Sequence, residues 1–298
     1  MSIKETNMSI KQEYGMSNMN PTWVALVVAL AVGCGGDDGA GGGDGGADAA
    51  GDAQAAAPVV DPAVAATISG MVSFAGIAPA GTPIDMSEEP DCAEKHTTTP
   101  MIQPVRVGDG GGLADVFVYV KEGLGDMTFP TPATPVVLDQ NGCQYSPHVI
   151  GIMAGQDITI RNSDPLLHNI NTKSEINRSF NVSQPRAMET TRTFKDAEIM
   201  IPVKCDVHGW MNAYIGVTDN PYHAVSSADG AFTISGLPPG EYVIEAWHAT
   251  LGVSTQSVTV GEAETGTADF SFSEDVASGP VPMGEPVDLT HPAGHSAG

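Results

Sequence analysis

Basic side chains are scarce in this sequence. Its 298 residues contain 12 Lys and Arg against 36 Asp and Glu, which gives a formal net charge of −24 at pH 7. This balance argues against nucleic-acid binding, because phosphate contacts require clustered Lys and Arg. An acidic surface of this kind can steer a basic partner, or it can simply keep an exported protein soluble.

The apolar segment near the N-terminus is too short for a comfortable membrane span. It runs from Trp23 to Gly33, 11 residues, which is the length of a signal-peptide core. The following Cys34 completes a Leu-Ala-Val-Gly-Cys sequence that resembles a bacterial lipobox, although Ala31 stands where Leu is usual. We expect residues 1–33 to be a signal segment and Cys34 to carry a lipid. An ordinary secretory signal and an uncleaved anchor are the alternatives.

Two further stretches lack the apolar residues needed to form a core. Residues 34–63 are a Gly/Ala/Asp tract, and residues 275–298 are a Pro-containing tail. Neither can bury enough apolar surface to order itself, so they are predicted to be a flexible linker and a flexible tail. The resulting model is an exported protein, lipid-anchored to a bacterial membrane at the periplasmic or cell surface.

Familiar catalytic motifs are also missing. There is no G-x-S-x-G sequence and no zinc-protease motif. The glycine-rich stretch 108–112 has neither the GxGxxG nor the P-loop pattern and is predicted to be a turn. We therefore expect a carrier or a binding protein rather than an enzyme.

Cysteine occurs only four times. Cys34 follows the export segment, and Cys205 lies among other candidate metal ligands. Cys92 and Cys143 remain, and they could form a disulfide outside the cytoplasm. Two buried free thiols are the alternative, because the sequence does not show whether their Cα atoms approach each other.

Strand-forming residues and turn residues dominate the rest of the chain. It contains 35 Gly and 22 Pro, and charged residues are only 16%. Short Val, Ile, Tyr and Phe runs, such as 67–74, 115–121 and 135–138, alternate with turns. This pattern predicts an all-β fold.

The chemically most informative stretch is a loop with a C-x2-H-x2-M pattern. It places Cys205, His208 and Met211 between two apolar strands. A thiolate, an imidazole and a thioether suit copper, and a trigonal site of two His and one Cys with an axial Met is an electron-transfer centre. The second His is expected from the upstream segment 161–169, Arg-Asn-Ser-Asp-Pro-Leu-Leu-His-Asn, in which His168 precedes an Asn.

These motifs resemble the cupredoxin, or type 1 blue copper, family, and the loop spacing is most similar to that of amicyanin. The resemblance implies a Greek-key copper domain over residues 138–218 and one copper ion held by His168, Cys205, His208 and Met211. It also implies that His208 reaches the surface and forms an electron port with Trp210. Asn162 and Asn169 are expected to support the ligands.

His148 is a further candidate ligand, because it follows a proline in an early strand of this domain. A structural histidine is the alternative.

A second resemblance concerns residues 227–244, with an Asp-Gly turn, Phe-x-Ile alternation and a Leu-Pro-Pro-Gly-x-Tyr sequence. They are similar to the carboxypeptidase-regulatory-like, or transthyretin-like, β-sandwich. That family begins with an I-x-G-x-V strand, which here is 68–72. We therefore predict a discontinuous sandwich, residues 64–137 with 219–274, that contains the copper domain as an insertion.

The predicted function is single-electron shuttling by an extracytoplasmic type 1 copper protein. A redox protein, such as a c-type cytochrome, an oxidase or a dehydrogenase, would be its partner. Two alternatives remain. One is a non-redox module that binds carbohydrate, peptide or protein, and the other is a copper-handling or storage protein.

Overall fold

The computed structural model describes residues 60–274. The predicted signal segment, Cys34, the linker up to residue 59 and the tail from residue 275 lie outside the described residues. Within that range, no helix is long and apolar enough to cross a membrane. Strands and turns make up almost all of it, with one short helix, α1 (Pro90–Ala93), so the predicted all-β class with sandwich-like sheets is confirmed.

One pair of sheets, sandwich I, is formed by strands from the beginning and the end of the described chain. Its strands are β1 (Ala66–Phe74), β4 (Phe117–Glu122), β14 (His223–Val225), β15 (Ala231–Leu237), β16 (Gly240–His248), β17 (Gly252–Val260), β18 (Thr265–Thr267) and β19 (Phe270–Phe272). One sheet has the order β15-β1-β18, with β19 also on β1, and the other has the order β14-β4-β16-β17. Ile68, Val118, Ile234 and Ile244 are buried between them.

Between β4 and β14 the chain forms a second pair of sheets, sandwich II. Its strands are β5 (Val136–Gln140), β6 (Tyr145–Ser146), β7 (Val149–Met153), β8 (Asp157–Asn162), β9 (His168–Thr172), β10 (Asn181–Gln184), β11 (Met188–Thr193), β12 (Glu198–Lys204) and β13 (Asn212–Thr218). A five-stranded sheet, β10-β9-β12-β13-β7, faces a four-stranded sheet, β11-β8-β5-β6. Leu138, Ile152, Ile160 and Ile215 lie in the core between them.

An aromatic cluster joins the two sandwiches. Residues of β4 alternate between two buried faces, with Val118 and Val120 in the core of sandwich I. Phe117, on the opposite face, packs with Met200 and Trp247. The Phe117 ring needs a residue without a side chain beneath it, because a Cβ at Gly216 would lie 2.6 Å from its Cζ atom.

Two local features of sandwich II are not evident from the sequence. The polar stretch 171–197 contains β10 and β11, which pair with β9 and β8. In β12, a register shift lies between Glu198 and Ile201. Met200 has a φ of 66° there, and its side chain is buried in the aromatic cluster. A β-bulge explains the change of face.

Residues 84–100, which we call the cap, extend from sandwich I across one end of sandwich II. The cap begins after β2 (Thr82–Pro83), contains α1 and ends before β3 (Met101–Ile102), the strand with which β2 pairs. Ile84 and Met86 are buried in the core of sandwich II. Cys92 in α1 forms a disulfide with Cys143, with Cα atoms 5.7 Å apart. The cap is therefore packed and covalently fastened onto sandwich II.

Candidate metal centre

The C-x2-H-x2-M loop connects two hydrogen-bonded strands. β12 and β13 are antiparallel, and Lys204 pairs with Asn212 at the point where the loop begins and ends. Within the loop, the Cys205 N–H donates to the Met211 carbonyl at 3.1 Å, and the Met211 N–H donates to the His208 carbonyl at 2.9 Å. These two bonds hold the three candidate ligands in one tight turn.

The upstream histidine reaches the same place through the neighbouring strand. β9 is antiparallel to β12, and its Asn171 pairs with Lys204. His168, at the start of β9, is therefore carried past the beginning of the loop. The Nδ1 atoms of His168 and His208 lie 2.9 Å apart, and ligand atoms of His168, Cys205 and His208 all lie within 4.8 Å of one another.

The four predicted ligands are buried. His168 is fully inaccessible, Cys205 and His208 are 2% and 3% exposed, and Met211 is 1% exposed within the core of sandwich II. Removing several polar side chains from water costs free energy unless they are hydrogen-bonded or bind a metal. Two imidazoles and a thiol make a soft-to-borderline donor set, which fits copper.

A buried carboxylate orients His168. Asp164 Oδ2 accepts a hydrogen bond from His168 Nε2 at 2.9 Å, which leaves the lone pair on Nδ1, the atom that faces His208. Asp164 also accepts from the N–H groups of Gly142 (3.0 Å) and Cys143 (2.8 Å) and forms an ion pair with Lys95 of the cap (3.1 Å). Carboxylate–histidine pairs of this type are usual around metal-binding histidines.

The pKa of Asp164 is lowered in spite of its burial. Burial by itself raises the pKa of a carboxyl, but the Cys143 N–H, the His168 side chain, the Gly142 N–H and Lys95 together outweigh it. The carboxylate is therefore charged at neutral pH. No role for Asp164 was predicted, although it lies between Asn162 and His168 in the sequence.

The Cys205 thiol lies among polar groups that connect the two ligand-bearing segments. Its Sγ contacts Asn169 Oδ1 at 3.3 Å and the His208 N–H at 3.4 Å. Asn169 Oδ1 also accepts from the Asp206 N–H at 2.6 Å, so the expected support by Asn169 corresponds to a direct link between β9 and the loop. Burial raises the pKa of the Cys205 thiol, although the surrounding N–H groups oppose this. A bound cation would reverse that preference.

Asp206 adds a second link that the sequence did not reveal. Its carboxylate accepts hydrogen bonds from the side-chain amides of Asn169, Asn171 and Asn181 at 2.8–3.0 Å. Asn162, the other expected support, donates to the carbonyls of Leu166 and Gln184 and thus shapes the segment that leads to His168.

The expected exposure of His208 is not observed. The cap covers it, with Cys92 Sγ 3.6 Å and Glu89 Oε2 3.8 Å from its Nε2 atom. Trp210 packs beside it with ring centroids 5.2 Å apart, is half-buried, and donates from Nε1 to the Cys143 carbonyl at 2.9 Å. Burial, with the nearby His168, lowers the pKa of His208 to about 4, so the ring is neutral at neutral pH. The prediction that His208 reaches the surface is therefore wrong, because the cap covers its outer edge.

His148, the further candidate ligand, lies outside the candidate metal centre. Its Nδ1 contacts the Asn212 carbonyl at 3.2 Å, and its ring packs edge-on against Tyr214. It lines a small cleft with Arg106, Asp115 and His248. Among the described residues, it belongs to none of the groups whose ligand atoms converge.

Comparisons with known proteins add limited similarities. A family model described as "Polysaccharide lyase family 4, domain II" matches residues 194–268. No curated protein matches the chain.

Among solved structures, amicyanin from Paracoccus versutus is 21% identical, with 34% of this chain and 96% of that chain covered and a TM-score of 0.26. A purple cupredoxin from Nitrosopumilus maritimus is 19% identical, with 28% and 99% covered and a TM-score of 0.25. A copper-containing nitrite reductase from Thermus scotoductus is 18% identical, with 32% of this chain covered and a TM-score of 0.28. The chain spans only 24% of the reductase. All three TM-scores are below 0.5.

Proposed function

We propose that the protein binds one copper ion through His168, Cys205, His208 and Met211 and carries single electrons. The observation that supports this most directly is the approach of the two Nδ1 atoms to 2.9 Å beside a buried thiol. Two nitrogen ligands at about 2.0 Å from one metal ion lie about 3 Å apart, so little movement is needed. Bound copper would supply a one-electron couple.

The surrounding residues have defined tasks in this proposal. Asp164 holds the proton of His168 on Nε2 and thereby keeps Nδ1 available. Cys205 gives up its thiol proton when a cation binds, because only the thiolate is a strong ligand. Asn169 connects the loop to β9 and limits relative movement of the ligands. A rigid site of buried side chains changes little between two charge states, which favours electron transfer.

The cellular setting is also a proposal. The Cys92–Cys143 disulfide is compatible with an oxidising compartment, as expected for an exported protein anchored through Cys34. The formal charge of −24 supports a basic redox partner, such as a c-type cytochrome, besides an oxidase or a dehydrogenase. Sandwich I would be the transthyretin-like host, residues 64–137 with 219–274, and sandwich II the inserted copper domain, residues 138–218.

The test is spectroscopic. The protein with its disulfide intact is mixed with one equivalent of Cu(II). We expect an intense thiolate-to-copper absorption band and a reversible one-electron wave in voltammetry. Cys205→Ser should abolish the band, whereas the matched control His148→Ala should retain it, because His148 lies outside the ligand group. A colourless wild-type protein, or a band that persists in Cys205→Ala, would refute the proposal.

Burial of His208 favours a second candidate, a copper-holding protein that exchanges electrons slowly. The measurement that separates the two is the bimolecular rate of reduction by a basic cytochrome c. A rate in the range of ordinary protein association, about 10⁵–10⁷ M⁻¹s⁻¹, supports the carrier. A rate several orders of magnitude lower supports storage.

A further inference from the structure

The disulfide lies against the outer edge of His208. Cys92 Sγ is 3.6 Å from His208 Nε2, and ligand atoms of Cys92, Cys143 and His208 all lie within 4.8 Å of one another. All three residues are almost completely buried. We call Cys92, Cys143 and His208 Nε2 the outer site. The inner site is the proposed copper site, which uses the other nitrogen of His208, Nδ1.

The hydrogen-bond chain determines which nitrogen of His208 carries the lone pair in the metal-free protein. His168 donates from Nε2 to the Asp164 carboxylate, so its Nδ1 is an acceptor. His208 Nδ1, 2.9 Å away, must then be the donor. His208 Nε2 is therefore left with a lone pair that faces Cys92.

We propose that, in the dithiol state, Cys92, Cys143 and His208 Nε2 form a second metal site for a soft monovalent cation such as Cu(I). The disulfide state closes this site. The proposal deepens the proposed function, on which it partly rests, because it gives the inner site a neighbouring entry site that shares His208.

Simple geometry supports a shared ion. Metal–thiolate and metal–imidazole bonds of about 2.3 and 2.0 Å at about 115° separate S from N by about 3.6 Å. The observed separation between Cys92 Sγ and His208 Nε2 is 3.6 Å. Two thiolates on one ion would be about 4 Å apart. Side-chain rotation can provide this, since the Cα atoms of Cys92 and Cys143 are 5.7 Å apart.

The chemistry balances with two named co-reactants. A newly made chain carries Cys92 and Cys143 as thiols, and binding of Cu(I) releases one proton from each. An external disulfide of the thiol-exchange class then oxidises the pair. Each thiolate loses one electron and the Cys92–Cys143 bond forms, while the disulfide bond of the exchange reagent breaks. The reagent takes up the two protons that metal binding released and leaves as a dithiol. Loss of the two sulfur ligands frees the ion from the outer site.

His208 makes the two sites sequential. The inner site needs the lone pair on Nδ1, whereas the outer site needs it on Nε2, and a neutral imidazole has only one. An ion at the outer site would therefore be released most readily when the His208 proton moves from Nδ1 to Nε2, the nitrogen that bound the ion. Disulfide formation then fastens the cap over the inner site, and this disulfide is the one present in the observed structure.

The experiment measures Cu(I) affinity in the full chain carrying Cys205→Ala, which removes the inner thiolate. The protein is titrated without oxygen against a chromogenic Cu(I) chelator, in its disulfide form and after reduction and removal of the reductant. The reduced form is expected to bind one Cu(I) at least 100-fold more tightly than the disulfide form. X-ray absorption at the copper edge should show two sulfur ligands and one nitrogen ligand.

Two additional substitutions distinguish this site from any exposed pair of thiols. His208→Ala should weaken Cu(I) binding by the reduced form at least tenfold. Met211→Leu, which affects only the inner ligand set, should change it less than threefold.

Equal affinity in the two redox states would overturn the proposal, as would an unchanged affinity in His208→Ala. Loss of cooperative unfolding in the reduced chain would also overturn it, because the cap must stay folded. The absorption band of the oxidised wild-type protein with Cu(II) reports on the inner site alone, so the two proposals can fail separately.

Discussion

Asp164→Asn offers a sharp test of how the site is held, and it requires no metal. The side chain of Asp164 is 1% exposed, and it accepts three hydrogen bonds and forms one ion pair. One oxygen accepts from the Gly142 N–H and Lys95, and the other accepts from the Cys143 N–H and His168. An asparagine has only one oxygen, so its NH2 group must face two donors whichever way the amide turns.

The least costly arrangement points the NH2 group toward Lys95. The Lys95 side chain is 27% exposed and can move into water, but the buried Gly142 N–H loses its acceptor. An unsatisfied buried donor costs about 1–3 kcal/mol, and a neutral acceptor weakens the two remaining bonds. We therefore expect the free energy of unfolding to fall by about 2–4 kcal/mol.

Urea unfolding of the metal-free, disulfide-bonded protein at pH 7, followed by circular dichroism, measures this change. Asp139→Asn is the matched control, because the carboxylate of Asp139 meets Ser163 at an exposed position. The control should change the free energy of unfolding by less than about 0.5 kcal/mol. A loss below about 1 kcal/mol for Asp164→Asn would refute the view that this carboxylate anchors the site.

Two other predictions concern stability. Burial, with the nearby His148, lowers the pKa of His248 from 6.5 to about 4, so its contribution is present above pH 6.5 and is lost as pH falls toward 4. The urea midpoint should fall between pH 6.5 and 4 by an amount equivalent to at most about 3 kcal/mol of unfolding free energy. In His248→Asn the midpoint should fall less steeply with pH, and an equal slope in the two proteins would contradict this prediction. Gly216→Ala should destabilise the protein by about 1–3 kcal/mol in the same assay, because the new methyl group overlaps the Phe117 ring. Gly209→Ala is its control, since nothing lies within 4 Å of a Cβ there, and equal effects of the two changes would count against the packing argument.

The approach of the candidate ligands was predictable because it depends on local patterns. Cys205 and His208 share one turn, and His168 follows a strand whose alternation is clear in the sequence. The burial of Val118 and Phe117 on opposite faces of β4 was likewise visible as two interleaved apolar rows. In these cases a short periodic segment contains the information.

The cap was not predictable, since its effect depends on contacts between distant parts of the chain. Nothing in residues 84–100 indicates that Cys92 will lie beside His208, 116 positions later. β10 and β11 were missed for a different reason. β11 carries Thr190, Thr191 and Arg192 at the edge of a sheet, where solvent exposure removes the apolar alternation that identifies a strand.

The pairing of β4 with β14 has a consequence for the order of folding. Tyr119 and His223 are partners in that pair, although about 100 residues separate them. Closing a flexible loop of that length costs about 4 kcal/mol of chain entropy. If sandwich II folds first, its compact body brings residues near Glu122 and His223 together and replaces the long loop by a short one. The inserted half of the chain would then act as the nucleus on which the outer half completes its sheet.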